Sequence, residues 1–152
     1  MKIFKSFNVL NREINFNENI GFVPTMGSLH RGHLSLIKIA KSKSKKVLVS
    51  IFINPSQFND KKDFIKYPRN LNKDISILRK LKINYLFLPN KNEIYKKNIR
   101  KKLIISKKDK ILCAKYRKGH FEGVLAVVNR FMENINSKYL FLGEKDYQQF
   151  FL

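Results

Sequence analysis

Pro24-Thr25-Met26-Gly27-Ser28-Leu29-His30-Arg31-Gly32-His33 decides how this chain folds and what it can hold. Upstream lies an apolar run, Ile20-Gly21-Phe22-Val23; downstream, Leu34, Ile37 and Ala40 recur at helical spacing. The order is strand, tight glycine-bearing turn, helix. A helix start has free backbone N–H groups and the positive end of the helix dipole, so it draws anions. His30 and His33, with Gly32 between them, add two imidazoles that can donate to the same anion. Gly32 carries no Cβ, which leaves room for a phosphate close to the backbone. The pattern predicts a pocket for a nucleoside triphosphate.

Composition sets the frame. The chain has 152 residues, enough for one domain, and 43% of them are hydrophobic, enough for a core. A single cysteine, Cys113, allows no intrachain disulfide and fits a reducing compartment. It has no His/Cys constellation near it, so a metal or nucleophile role is not expected. No apolar run approaches the ~20 residues of a membrane span. Met1 to Asn8 lacks the long apolar segment and cleavage site of a signal peptide. A soluble cytoplasmic protein without a membrane partner is the expectation.

The formal charge is +21, from 32 Lys and Arg against 11 Asp and Glu. Lysine is scattered along the whole chain and outnumbers arginine, the better reader of bases and phosphates. Aromatics are not interleaved with the basic runs as a stacking platform requires. The distribution favours a biased surface composition over nucleic-acid binding, though the charge still attracts anionic ligands such as ATP.

Strands and helices alternate along the chain. Phe7, Leu10 and Ile14 suit a first helix within Ser6 to Asn19. Ile20 to Thr25, Val47 to Ile53, Tyr85 to Leu88 and Tyr139 to Leu142 read as four buried strands. Helices are expected from Gly32 to about Ser42, along Leu71, Ile75, Leu78 and Leu81, and from Phe121 to Ile135. Lys91 to Lys110 reads as basic and irregular, with Leu103-Ile104-Ile105 as a short possible strand and the lysines on a solvated face. A new helix is expected at the chain end. The alternation predicts an α/β fold, a Rossmann-like parallel sheet with helices on both faces, as one domain over residues 1–152. In such sheets ligands sit at the carboxyl ends of the strands. His30 and His33, Asn54 and Gln57, and Lys145 all follow strands, so they should converge on one cleft.

Several blocks together resemble the pantothenate synthetase (pantoate–β-alanine ligase) family, within the wider His-x-Gly-His nucleotidyltransferase superfamily. They are Pro24 to Leu34, Ser50-Ile51-Phe52-Ile53-Asn54-Pro55-Ser56-Gln57-Phe58, Tyr67-Pro68-Arg69, Gly119-His120-Phe121-Glu122-Gly123-Val124, and Phe141-Leu142-Gly143-Glu144-Lys145-Asp146-Tyr147-Gln148-Gln149. Order and spacing agree from about Ile20 to Leu152. The resemblance implies an ATP- and Mg²⁺-dependent condensation of pantoate with β-alanine, through pantoyl-adenylate, releasing pyrophosphate and AMP, in a homodimer. It also implies a longer chain, with a second, C-terminal domain and a Ser-Ser-Arg loop that these residues do not include. Ile111 to Lys118 and Tyr95-Lys96 depart from the family pattern.

The resemblance assigns roles by position. Met26, Gly27, Ser28, Leu29, His30, Arg31, Gly32 and His33 would line the ATP site. His30 and His33 would bind phosphates, with His33 matching the family's proton donor. Lys145 would place a cation on the α-phosphate. Gly143, Glu144 and Asp146 would complete the nucleotide site, with Gly143 and Asp146 at the ribose. Gln57 and Gln149 would hold pantoate, since an amide donates to a carboxylate and accepts from hydroxyls. Met26, Val127 and Val128 would form the apolar wall, with Asn54 and Tyr67 near the substrate. No protein metal site is implied.

Plainer readings stand beside these. Two histidines at i and i+3 can simply cap a helix, and His120 can cap the one it opens. Lys145 is one of many lysines, and Gln57 and Gln149 can be ordinary surface residues. The rival functions are another adenylylating enzyme of the superfamily, a truncated ATP-binding fragment that turns over poorly, and a basic nucleic-acid-binding module.

Overall fold

Strands rich in β-branched and aromatic residues build one parallel sheet. The computed structural model describes residues 1–58, 60–95 and 120–143 (for 120 and 121, the backbone alone). The strands are β1 (Lys2–Phe4), β2 (Ile20–Thr25), β3 (Lys46–Ile51), β4 (Tyr85–Phe87) and β5 (Tyr139–Leu140), in the spatial order β1-β4-β3-β2-β5. Every neighbouring pair is parallel. The helices are α1 (Phe7–Glu13), α2 (Arg31–Lys43), α3 (Lys61–Lys66), α4 (Leu71–Lys80), α5 (Lys91–Ile94) and α6 (His120–Asn134), with a 3₁₀ turn at Pro55–Gln57.

Side chains alternate across the sheet and fill two cores. Ile20, Phe22, Leu48 and Phe87 face one side and pack with Phe7 and Leu10 of α1, Ile94 of α5, and Val127 and Phe131 of α6. Val23, Val47, Val49 and Leu86 face the other and meet Ile37 and Ala40 of α2 and Leu78 of α4. Each of the Val, Leu, Ile and Phe side chains among these, fully buried, contributes about 1.5–3 kcal/mol. Helices on both faces explain why β2 and β3 are almost continuously apolar.

The strand order positions the site. From β2 the chain steps to β3 and then β4 on one side, and β5 then returns to β2's other side. Phe141 N–H donates to the Phe22 carbonyl at 2.9 Å, so β5 delivers Leu142 and Gly143 beside the carboxyl end of β2. A reversal of strand order at that end opens a crevice for ligand.

The expected α/β architecture stands, with corrections in detail. The sheet has a fifth strand, because Lys2–Phe4 pairs with β4 at the edge. Only Phe4 of its three residues is buried, so no periodicity announces it. β3 ends at Ile51 rather than Ile53, because Asn54 caps a 3₁₀ turn with Pro55 at its start. Lys61–Lys66 is helical, started by Asp60. Lys91–Ile94 is a helical turn capped by Asn90, not irregular chain, and it buries Ile94 completely. The proposed strand at Leu103-Ile104-Ile105, the lysines from Lys96 to Lys110, Cys113 and the final helix lie outside the described residues.

Candidate active site

Two loops at the carboxyl ends of β2 and β3 make the site. The first is a stiff turn. The Thr25 hydroxyl donates to the Ser50 carbonyl at 2.8 Å and accepts the Gly27 N–H at 3.1 Å, tying β2 to β3. Gly27 (φ 77°) and Ser28 (φ 52°) are consecutive left-handed residues. A Cβ on Gly27 would stand 3.0 Å from both Asp74 Oδ2 and Ile51 Cγ2, so glycine is needed for space as well as angle. The Asp74 carboxylate, buried on α4, accepts the Ser28 N–H at 2.8 Å and the Leu29 N–H at 2.9 Å.

His30 then caps α2. Its Nδ1 accepts the Gly32 N–H at 3.1 Å, and the His30 N–H donates to His33 Nδ1 at 3.4 Å. The two rings lie 4.1 Å apart between centroids. A backbone N–H can only donate, so each Nδ1 presents its lone pair and each neutral ring carries its proton on Nε2. The capping reading and the phosphate reading therefore coexist: capping fixes the tautomer whose Nε2–H is a donor. Gly32 makes room here for the His30 ring, since a Cβ on it would stand 3.1 Å from His30 Cε1.

The second loop hangs from Asn54, which is almost fully buried. Its Oδ1 accepts the Ser56 N–H at 3.1 Å, the Ser56 hydroxyl at 2.9 Å and the Tyr95 hydroxyl. Its Nδ2 donates to the Gly123 carbonyl at 2.9 Å and to Gln57 Oε1 at 3.2 Å. Gly123 of α6 lies so close to the 3₁₀ turn that a Cβ there would stand 2.7 Å from the Ser56 carbonyl oxygen. The Gln57 amide reaches back to the Met26 sulfur and joins the two loops.

Between the loops lies a cavity of about 290 Å³, near the small end of ligand pockets. Met26, Ser28, His30 and His33 line it from the first loop, Asn54 and Gln57 from the second, and Val127 and Val128 from α6. Tyr67 also faces it, and Leu142 brings the end of β5 to its rim. Burial, with the negative charge of Asp74 behind it, raises the Tyr67 hydroxyl above the usual tyrosine value, so it stays protonated and able to donate. Burial also raises Tyr95, against the opposing pull of its hydrogen bonds to Ser56 and Asn54.

The structure thus brings Met26, Ser28, His30, His33, Asn54, Gln57, Tyr67, Val127 and Val128 of the expected site residues to one cavity from distant segments. It leaves four of the first loop aside. The Leu29 side chain is in the core, Arg31 and Gly32 are exposed and do not line the cavity, and Gly27 lies at the back of the turn. Gly143 is described at the end of β5, whereas Glu144, Lys145, Asp146 and Gln149 lie outside the described residues. Sequence reasoning missed Thr25, Asp74 and Tyr95. Asp74 carried a signal, because it falls between Leu71 and Leu78 on the apolar stripe of α4, where a carboxylate needs a partner. Among the described residues no cluster of three or more His, Cys, Asp or Glu gathers to hold a metal, and no helix is long and apolar enough to cross a membrane.

Residues 2–152 match the family described as Pantoate-beta-alanine ligase. A pantothenate synthetase of Francisella tularensis subsp. tularensis (strain WY96-3418) is 46% identical over 152 residues, covering 97% of this chain and 57% of that protein. One from Leptospira interrogans (serovar Lai, strain 56601) is 48% identical over 136 residues, covering 89% of this chain and 48% of that protein. The crystal structure of the Francisella tularensis ligase complexed with beta-gamma ATP and beta-alanine superposes with a TM-score of 0.92 at 42% identity, over 99% of this chain and 59% of that one. A Thermus thermophilus pantothenate synthetase superposes with a TM-score of 0.90 at 35% identity, over 98% of this chain and 54% of that one. The chain spans about half the length of these relatives, from 48% to 59%.

Proposed function

Because this chain belongs to the pantoate–β-alanine ligase family, we propose that its cleft activates pantoate with ATP for condensation with β-alanine. The observation that carries the reading is the facing of two unlike walls across one small cavity. Imidazoles whose Nδ1 atoms are engaged in capping α2 line one side, and an amide on an apolar background lines the other. The first wall suits phosphate oxygens. The second suits a small branched hydroxy acid: Gln57 for its carboxylate and hydroxyls, Val127 and Val128 for its methyl groups.

The chemistry follows from that placement. A pantoate carboxylate oxygen attacks the α-phosphorus, and the bond from that phosphorus to the pyrophosphate oxygen breaks. His30 and His33 donate to phosphate oxygens as charge builds on them, His33 as the proton donor. Lys145, two residues beyond Gly143, adds a point charge on the α-phosphate. Gly143, Glu144 and Asp146 complete the nucleotide side, and Gln149 joins Gln57 on pantoate. The neutral amine of β-alanine then attacks the acyl carbon, loses its proton, and AMP leaves. Holding the reactants in register supplies much of the acceleration.

Among the described residues, the cavity lining contains no carboxylate. A Mg²⁺ ion, when bound, would be held through triphosphate oxygens and would supply charge neutralisation on the phosphates. A biosynthetic reaction using ATP fits a cytoplasmic chain, and a homodimer, as the resemblance implies, is open to sedimentation.

The test is exchange of labelled pyrophosphate into ATP. Exchange that requires pantoate supports the reading. Exchange that requires a mononucleotide instead supports a cofactor nucleotidyltransferase of the same superfamily.

A further inference from the structure

Asp74 has no part in the chemistry above, yet it is a carboxylate 3% exposed beneath a site meant for anions. A negative charge there opposes phosphate binding unless something else requires it. Both its oxygens are engaged: Oδ2 accepts the Ser28 N–H at 2.8 Å and Oδ1 accepts the Leu29 N–H at 2.9 Å, across 46 and 45 residues of sequence. Such charge-assisted bonds are strong and directional. They close on a turn that needs holding, because Ser28, at φ 52°, carries a side chain in a conformation that L-residues avoid.

The geometry points to Asp74 as a positioning residue, which holds the Met26–Leu29 turn left-handed and so sets where His30 and His33 stand. The accounting of backbone donors supports it. The Gly27 N–H goes to Thr25, and those of Ser28 and Leu29 go to Asp74. In a glycine-rich phosphate loop such amides face the anion. Here they face a buried carboxylate, so the grip on phosphate passes to the imidazole Nε2–H groups, whose position depends on the turn. The next residue after the pinned Leu29 is the cap of α2, so any relaxation of the turn moves His30 first.

This inference rests on the ATP reading of the cleft, and its test separates the two. Amide hydrogen exchange is followed for Ser28 and Leu29 in the full 152-residue chain, together with binding of Mg·ATP and of pantoate. The two amides should exchange slowly in the parent. In Asp74→Asn one oxygen is replaced by an NH₂ that meets a backbone N–H head-on. Their exchange should then speed up by at least about 10-fold, and Mg·ATP affinity should fall by about as much while pantoate affinity stays within about twofold. Repeated in a Ser28→Gly background, where glycine takes the left-handed angle freely, the Asp74→Asn loss should shrink several-fold. Equal losses in both backgrounds would overturn the inference, as would fast exchange of the two amides in the parent, which can be read even if Asp74→Asn does not fold. A parent with protected amides that binds no ATP would instead sink the functional reading and leave the pin in place.

Discussion

The loops after β2 and β3 meet at Gln57 and Met26 but are held by opposite means. The first is fixed through its backbone, by Thr25 and by a buried charge on α4, and presents its imidazoles at the cavity. The second is fixed through one neutral side chain, Asn54, which ties together the 3₁₀ turn, Tyr95 and α6. In the first loop the turn is held by residues that take no part in the chemistry, Thr25 and Asp74, while the imidazoles add only the cap of α2, so turn support and chemistry can be separated by mutation. In the second they are linked, since Gln57 is bonded to the hub that supports it.

The sharpest way to test that contrast is His33→Ala. The ring lines the cavity and belongs to neither apolar core, so adenylate formation should fall by about 10²–10³-fold, with a stability loss of no more than about 1 kcal/mol from the capping bond to His30 N–H. A large drop in melting temperature with unchanged exchange kinetics would make the ring structural. Gly123→Ala attacks the other loop without removing any of its polar groups. The new methyl, 2.7 Å from the Ser56 carbonyl oxygen, forces the 3₁₀ turn off α6. KM for pantoate should rise about 10-fold and stability fall by about 1–3 kcal/mol, while KM for ATP barely moves. If KM for ATP rises equally, the two loops are one mechanical unit and the contrast fails.

The smallest effect concerns Tyr95. Burial raises its hydroxyl above the usual value near 10.0, so the folded chain holds that proton more tightly than the unfolded chain. The contribution is complete below the unfolded pKa and is lost as pH rises through the higher folded value. Tyr95→Phe should cost about 1 kcal/mol at neutral pH through the bond lost to Asn54. It should also make the alkaline limb of the stability profile shallower. Tyr67 is raised too, so the limb should not vanish. An unchanged limb in Tyr95→Phe would remove Tyr95 from the support of the second loop.

What the sequence made readable follows the same division. Apolar runs such as Val47-Leu48-Val49 and the spacing of Leu71, Ile75 and Leu78 announce the sheet and its helices, because burial on both faces leaves a dense periodic trace. His30, His33, Asn54 and Gln57 were legible because each follows a strand and matches a family block. Lys2–Phe4 left no trace, since an edge strand with one buried residue has no period. Asp74 and Tyr95 act through contacts 45 and 41 residues away in sequence, which local pattern does not encode. The tautomers of the two histidines needed the capping bonds themselves. The expected ammonium of Lys145 and the amide of Gln149 lie outside the described residues and rest on the resemblance.

The most direct test is a calorimetric titration of the chain with Mg·ATP, in the absence and in the presence of saturating pantoate. If triphosphate and small acid share the cleft between the two loops, pantoate should shift the apparent ATP affinity, and Gln57→Ala should abolish that shift while leaving ATP binding alone intact. ATP binding indifferent to pantoate, or unaffected by His30→Ala and His33→Ala together, would contradict the account.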